Sequence, residues 1–588
     1  MSTGEFDTDV LVVGTGPMGS ATALALATHG VRVHQVNRWN WLANTPRAHI
    51  TNQRTMEVLR DLGVDKEAEK YAIPWELMGD TLFATSLAGD EVARLRTWGT
   101  GDDRIGDYIT GSPCGLLDIP QLYMEPVLFK NAAQRGATAS FNTEYLSHTQ
   151  DADGVTVALS DRLTGRTYSM RARYLVGADG ARSQVAADIG LVIEGQLARA
   201  ATAYVLFHAD LSSYVVHRPS ILHWILTPGG SFGEIGMGLL RAIRPWDTWI
   251  AGWGFDMADG EPTFDPDEVT EKIRTLVGDP DLDPVIESTS VWHVNQACAT
   301  TYSVGRVFCG GDAVHRHPPS SGLGSNTSIQ DGFNLAWKLA FVINGHAAPG
   351  LLETYSAERQ PVGEQIVARA NRSRVEYGPI NECFRTEGAA DPVAAGLEKL
   401  RDPSPAGVEV RGALAEAMQL KNFEFNAQGV ELNQRYTSDS VLPDNTVGAE
   451  EFVRNEQLYL QPTTRPGAKI PHVWLVDRDG TKVSTLDVTG KGKFSLVTGL
   501  SGQAWATAAE KLSLPYMRMV VIGAPETTDP YCAWARIREI AEAGALLVRP
   551  DGYIAWRQPA AVWDDHDAYD QLTAALKAIL GTDPTDVS

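Results

Sequence analysis

Gly14-Thr15-Gly16-Pro17-Met18-Gly19 is a G-x-G-x-x-G run, set between a β-branched apolar stretch, Thr8–Val13, and an alanine- and leucine-rich segment that stops at Gly30. Its spacing suits a dinucleotide phosphate. The first glycine permits a tight turn, the second lets backbone approach a pyrophosphate, and the third lets a helix pack on a strand. The helix that follows offers N–H donors and its positive dipole end. A bare βα turn has the same spacing, but the strand, turn and helix order favours a nucleotide. At the end of the next apolar run, Gln35-Val36-Asn37-Arg38 stands where an acid ordinarily meets ribose hydroxyls; Asn37 still offers a donor and an acceptor. Two later motifs, Gly177-Ala178-Asp179-Gly180 and Gly310-Gly311-Asp312-Ala313, each put an aspartate among small residues after a short apolar run. Such an aspartate faces a ligand at the carboxyl edge of a sheet, or simply closes a turn or caps a helix. The ordered set of three is far more specific than any one of them.

The elements that must position these residues read as follows. Thr8–Val13, the helix to Gly30 and Val31–Asn37 form a βαβ unit, so a doubly wound parallel sheet is expected, joined later by Tyr174–Gly177 and Val307–Gly310. Val155–Leu159, Ala203–Phe207, His223–Leu226 and Trp249–Phe255 suggest a second, antiparallel sheet inserted into the first. A helix is expected from Asp331 to the stop at Gly345, a linker over 386–407, and a compact α/β unit beyond residue 440. Trp39–Trp41 and His223–Pro228 are aromatic-rich pieces expected in the core, with an apolar pocket as the alternative.

The 588 residues suggest about four folding units. A net charge of −23 makes nucleic acid and anionic lipid unsuitable partners. Five cysteines without a C-x-x-C pair make neither a disulfide framework nor a zinc site, and His315 with His317 lacks the company of further ligands, so no metal is expected. No signal peptide is recognised at the N-terminus and no apolar run approaches about 18 residues, so a cytoplasmic protein without a membrane span is expected.

The motif order GTGPMG, GADGARS and GGDAVHRHPPSSGLGSNTSIQDGFNLAWKLA resembles that of the single-component FAD-dependent aromatic (phenol) hydroxylases, over residues 5 to 375. The stretches TPRAHITNQRTMEVLRDLG, LLDIPQLYMEP, RAIRPW and TRPGAKIPHVWL resemble the dichlorophenol- and hydroxybiphenyl-hydroxylating branch, in which an asparagine at the Asn37 position also occurs. The resemblance implies an α/β fold with an α+β insertion. A discontinuous Rossmann-like FAD-binding domain (1–75, 110–190, 295–380) would interleave with an antiparallel-sheet substrate domain (76–109, 191–294). A helical linker region (381–440) and a thioredoxin-like domain (441–588), which lacks the redox cysteine pair, would follow.

It also implies roles. Gly14, Gly16, Pro17 and Gly19 would hold the FAD pyrophosphate, with Asn37 and Arg38 near the ribose and Arg47 and Gln121 at the phosphate and ribityl regions. Asp312 would take a hydroxyl of FAD, and Asp179 belongs to a motif linked to both FAD and NAD(P)H. Gly322, Leu323, Gly324 and Asn326 would run beside the isoalloxazine, where the Leu323 and Gly324 N–H groups steady charge. Pro319 would offer a carbonyl near substrate or flavin. The implied reaction consumes NADPH or NADH and O₂. It passes through a flavin C4a-hydroperoxide and hydroxylates a phenol ortho to its oxygen, giving a catechol. A phenol is only about a thousandth ionised at neutral pH, so a base is useful; His49 and Asp118 are the candidates, structural hydrogen bonding being the alternative. Arg241 and Arg244 are candidates to attract the nicotinamide or clamp the flavin, against a role as surface ion pairs. The expected substrate is a small, substituted, chlorinated phenol, and the expected assembly a homo-oligomer, dimer or tetramer. The alternatives are a tailoring hydroxylase of a polyketide or antibiotic ring, and a non-oxygenating FAD oxidoreductase.

Overall fold

Every residue of Thr8–Val13 is buried, the pattern of a central strand covered on both faces. The computed structural model describes residues 6–226, 237–255, 257–384, 386 and 388–584. In it this strand lies between Val33–Val36 and Thr167–Gly177. Thr138–Ser140 and Val307–Cys309 continue the sheet on either side, and all five strands run parallel. The helix Pro17–Thr28 starts on a proline at its first turn and covers one face with Ala21, Leu24 and Ala25. It packs closely on the helix Gly324–Ile343: a β-carbon on Gly332 would stand 3.0 Å from the Met18 carbonyl oxygen.

Three expectations need correction. Val155–Asp161 joins the parallel sheet, not the inserted one, as an antiparallel hairpin with Thr143–Gln150 beside Thr167–Gly177; alternation alone does not say which sheet a strand completes. The long helix begins at Gly324 rather than Asp331. Its first turns carry Asn326, Thr327, Ser328 and Gln330, polar residues that read as loop yet are buried. The expected linker holds the helix Pro392–Arg401 and the start of Pro405–Leu420. Pro392 and Pro405 sit in first turns, where no N–H is missed, Pro403 separates the two helices, and the Asp391 side chain caps the first of them.

The inserted sheet runs in the order His315–Arg316, Val285–Ala299, Ile193–His208, Thr248–Phe255, Gly238–Arg244, Leu222–Ile225, Asp80–Ala84, Glu91–Arg96. Strand alternation gives it two unlike faces. Val205, Leu240, Ala251, Trp253 and Ile225 pack under the helix Pro266–Val277, whose Val269, Ile273 and Leu276 fall at helical spacing and which Asp265 caps. The opposite face carries Tyr204, Leu239, Trp224 and Phe83 in one row, turned toward Ile50, Ile73 and Leu116 of the flavin-side layer. His223 is on the helix-covered face, beside Trp249, while Trp224 faces the other layer; Thr227 and Pro228 lie outside the described residues. Trp39 and Trp41 are 58% and 57% exposed, so they do not belong to the core.

Beyond residue 440, Phe494–Gly499 and Met517–Ile522 pair in parallel around the helix Gln503–Leu512, and Ala545–Val548 and Ile554–Gln558 add antiparallel strands. With the closing helix Asp565–Leu580 this is a thioredoxin-like order. The unit shares a core with the long helix through Trp337 and Phe341. Its seam with the rest is polar: buried Glu358 accepts from Lys338, Asn334, Ser438, Ser440 and Arg549. Burial raises the Glu358 carboxyl, but Arg549 and Lys338 outweigh it and hold it well below the carboxylate range.

Glu431 is also buried; burial pushes its carboxyl up to about 8 from 4.5, outweighing the Gln53 N–H and the Arg104 charge, which lower it. The folded group is neutral where the unfolded one ionises, so stability is lost as pH rises from about 4.5 through 8. Glu431→Gln removes that loss. Its unfolding free energy, measured by urea denaturation, should gain on the parent by about 1.4 kcal/mol per pH unit between pH 5 and 7.5; parallel pH curves would contradict the assignment.

Candidate active site

Val13, Gly177 and Cys309 stand level on neighbouring parallel strands, so the three motif loops emerge side by side at one sheet edge. Gly14 has φ +111°, and a β-carbon there would lie 2.2 Å from the Ala178 carbonyl oxygen; one on Gly19 would lie 2.1 Å from that of Gly14. Those two glycines are required by the chain itself. Gly16 differs, since the nearest atom to its β-carbon direction is Glu125 Oε1 at 3.8 Å. Gly16 is also the residue before Pro17 at a helix N-terminus with no side-chain cap and no acid in its first turn. An open glycine at an uncapped N-terminus fits the FAD pyrophosphate.

The other expected contacts divide. Asn37 is occupied by its own chain: Nδ2 donates to Thr15 Oγ1 and the Trp41 carbonyl, and Oδ1 accepts from Trp39 N–H. Arg38 is exposed, 5.0 Å from the Trp39 ring. Asp179 accepts from Ser183 Oγ and the N–H groups of Gln184 and Val185, the helix-cap arrangement. Asp312 is exposed on the short turn Gly311–Ala313. The Gly311 N–H behind it donates to Asp331, which also takes His315 Nε2 at 2.9 Å and Arg359 Nε at 2.7 Å. Arg47 is exposed on the loop whose Ala48 carbonyl accepts from Gln121 N–H. Gln121 Nε2 donates to Glu125, and the other Glu125 oxygen accepts from Ala43 N–H. Glu125 thus braces the Arg47 loop, a role legible only as the i+4 neighbour of Gln121.

Pro319 closes a turn, its carbonyl accepting from Gly322 N–H. Ser321 and Gly322 follow at φ +67° and +61°, which packs Gly322 against Ile50. Asn326 Nδ2 donates to the Ile50 and Gly322 carbonyls while Oδ1 accepts from Asn52 N–H. Its amide therefore ties the loop to the strand beside His49. Leu323 and Gly324 open the long helix, again without a side-chain cap or first-turn acid, an end whose dipole favours negative charge.

His49, Asp118 and Arg241 converge. Ile50 pairs with Asp118 across a two-residue bridge, and Ile119 N–H donates to the His49 carbonyl. Asp118 is fully buried; Arg241 bonds one carboxylate oxygen and His49 Nδ1 stands 3.6 Å from the other. Burial raises the Asp118 carboxyl, but Arg241 and then His49 outweigh it and hold it below the usual range. Burial, aided by the Arg241 charge, pushes the His49 imidazole below its ordinary value against the pull of Asp118. The ring is therefore neutral at pH 7, with Asp118 and the Pro46 carbonyl beside it but no hydrogen bond of ordinary length among the described residues. A neutral, buried imidazole backed by a carboxylate can take a proton from a ligand, with the carboxylate orienting and stabilising the imidazolium. Arg244 is not in this cluster. It sits at the rim, its guanidinium 4.1 Å from the Tyr123 ring centroid.

An FAD binding domain profile matches residues 7–370, and the C-terminal domain of aromatic-ring hydroxylases matches residues 463–583. The chain belongs to the FAD-dependent aromatic-ring hydroxylases. Like the others, this hydroxylase is an enzyme of the flavoprotein monooxygenase type. It is 47% identical to 2,4-dichlorophenol 6-monooxygenase of Cupriavidus pinatubonensis, over 98% of this chain and 96% of that one. It is 45% identical to phenol 2-monooxygenase of a Pseudomonas species, over 96% and 91%. The solved flavin-dependent monooxygenase PieE, in complex with FAD and substrate, matches with a TM-score of 0.93 at 41% identity, covering 98% of this chain and all of that one.

The glycines of this hydroxylase separate chain geometry from ligand geometry. Gly16→Val should fold with an unchanged melting temperature yet bind FAD at least about tenfold more weakly by fluorescence titration, whereas Gly19→Val should fail to accumulate as folded protein. Normal FAD affinity in Gly16→Val would move the pyrophosphate elsewhere.

Proposed function

We propose that this hydroxylase converts substituted phenols, chlorinated ones included, to catechols by adding one oxygen atom of O₂ ortho to the hydroxyl, with NADH or NADPH as reductant. The observation that carries the reading is His49, neutral and facing one oxygen of an Asp118 whose other oxygen is held by Arg241, at the edge of the apolar layer formed by Tyr204, Leu239, Trp224 and Ile50. FAD, when bound, supplies the reducing equivalents and oxygen-transfer chemistry that no side chain has. Gly14, Gly16 and Gly19 would seat its pyrophosphate, Asp312 a hydroxyl, and the Leu323 and Gly324 N–H groups its ring.

The chain's own part is to orient the phenol and manage its proton. The apolar face excludes water and fixes the ring, and His49 accepts the hydroxyl proton. Asp118 balances the imidazolium that forms, and Arg241 keeps Asp118 ionised. A phenolate donates more electron density to its ortho carbon than a phenol does. Ring chlorines acidify a phenol, which suits a base whose own proton affinity is lowered by burial. The names of the similar phenol and dichlorophenol monooxygenases support the same substrate class. A solved relative bound to aklavinone supports testing larger rings beside small ones.

An O₂-uptake screen over substituted and polycyclic phenols, with NADH and with NADPH, tests the reading; catechol release coupled to O₂ uptake is the expected result, and nicotinamide oxidation without oxygenation would replace it with a non-oxygenating oxidoreductase. Without its base, His49→Ala depends on phenol already ionised in solution. At pH 7 its hydroxylation should fall by about 10²–10⁴-fold and recover as pH approaches the phenol pKa of about 10. An equal fractional loss at every pH would remove His49 from the role.

A further inference from the structure

The nicotinamide reductant of the proposed reaction needs a place to dock, and the FAD edge of the sheet is already committed. Arg241 and Arg244 lie on one strand but do different things. Arg241 is spent on Asp118. Between Ala242 and Arg244 the pairing register shifts, and Arg244 turns out to the rim. There its guanidinium rests 4.1 Å from the Tyr123 ring centroid, and Nη1 donates to the Tyr71 carbonyl at 3.1 Å. The Tyr71 and Tyr123 rings are parallel within 6°, centroids 6.3 Å apart, and Tyr71 is 40% exposed.

This ledge stands at the mouth of the site. Tyr123 follows Gln121 by two residues on the helix Gln121–Gln134, and Tyr71 precedes by two the Ile73 whose N–H bonds the Asp118 carbonyl. Exposed Arg47 lies on the loop bonded to Gln121. Burial raises the Glu125 carboxyl and the Arg47 charge acts to lower it, while the contacts of the Arg244 guanidinium are the Tyr123 ring and the Tyr71 carbonyl. On a chain of net charge −23, which repels a polyanion at long range, these two guanidiniums offer an anion a local attraction.

We propose that Arg244, seated on Tyr123 and Tyr71, forms with Arg47 the docking ledge for the nicotinamide dinucleotide. Guanidiniums bind the phosphates through paired N–H donors, and the tyrosine faces offer the stacking surface a nucleotide ring takes. Lacking a second Rossmann unit, the chain holds this co-substrate by rim contacts alone. The inference rests on the reading that a nicotinamide reduces the bound FAD. A plain mechanical role for Arg244, strapping one sheet to the other by a cation–π contact, is the competing account.

Calorimetric titration of FAD-loaded protein with NAD⁺ and with NADP⁺ separates them, because it reads docking without turnover. In Arg244→Gln and in Tyr123→Leu, the dissociation constant for the preferred dinucleotide should rise by about tenfold or more, the value of one charge-assisted contact, and Arg244→Lys should recover part of it. FAD content, read from the flavin spectrum, should match the parent in all three. Should either variant fail to fold, Tyr71→Leu serves in its place with the same expectation. Dinucleotide binding within twofold of the parent in the flavin-loaded variants overturns the ledge and leaves the phenol hydroxylase reading standing. A parent protein that takes up no FAD defeats that reading first, and the ledge with it.

Discussion

A carboxylate with no exposure to water is the constraint around which the site is built. Asp118 stays ionised in the interior only because Arg241 reaches its carboxylate from the inserted sheet while His49 faces it from the flavin-side layer. Either layer alone would leave a buried charge without its partners, a state costing several kcal/mol. The ionised pair, the neutral imidazole and the closed apolar layer are thus one condition: His49 has this environment only where the two sheets have closed on each other. Asn326 extends the same coupling to the loop at Gly322, since its amide holds that loop and the strand after His49 at a fixed separation.

A second buried network performs the equivalent task at the far end of the cofactor edge. Asp331 anchors the Gly311 N–H and is itself held by Arg359, whose guanidinium also donates to Gln434 and Tyr436. Tyr436 stacks on Tyr553 at 4.0 Å in the thioredoxin-like unit, and Tyr553 hydroxyl bonds Gln434. The turn that presents Asp312 is therefore fixed from behind by the C-terminal unit. This gives a domain without a redox cysteine pair a physical reason to be there: it completes the hydrogen bonding of charges that would otherwise be buried and unsatisfied.

What the sequence discloses about this fold follows from the range of each interaction. The three cofactor loops were legible because glycine spacing and strand ends are local, and the parallel register then brings them level. The hydrogen bonds of Asn37 and Asp179 are also local, each side chain being engaged by groups within six residues or in the adjoining loop, as turn and cap chemistry allows. By contrast, nothing near Asp118 announces Arg241, 123 positions away, and only the resemblance to known hydroxylases pointed to both. The polar first turns of the long helix read as loop because their partners, Ile50, Asn52 and Thr55, come from a distant stretch.

The division of labour between Arg241 and Arg244 shows how one strand serves both interior and surface. Up to Ala242 regular alternation points side chains either at the helix-covered core or at the site, so an arginine on the site face must find a buried anion, and Asp118 is the one within reach. The register shift before Arg244 releases the chain from that alternation. A cation placed there faces water and two tyrosine rings rather than a carboxylate, keeps its charge unspent, and stands within the acidic field of a chain carrying −23. The same residue type thus fixes an internal anion at one position and remains available to an external one three residues later, and the irregularity between them is what separates the two uses.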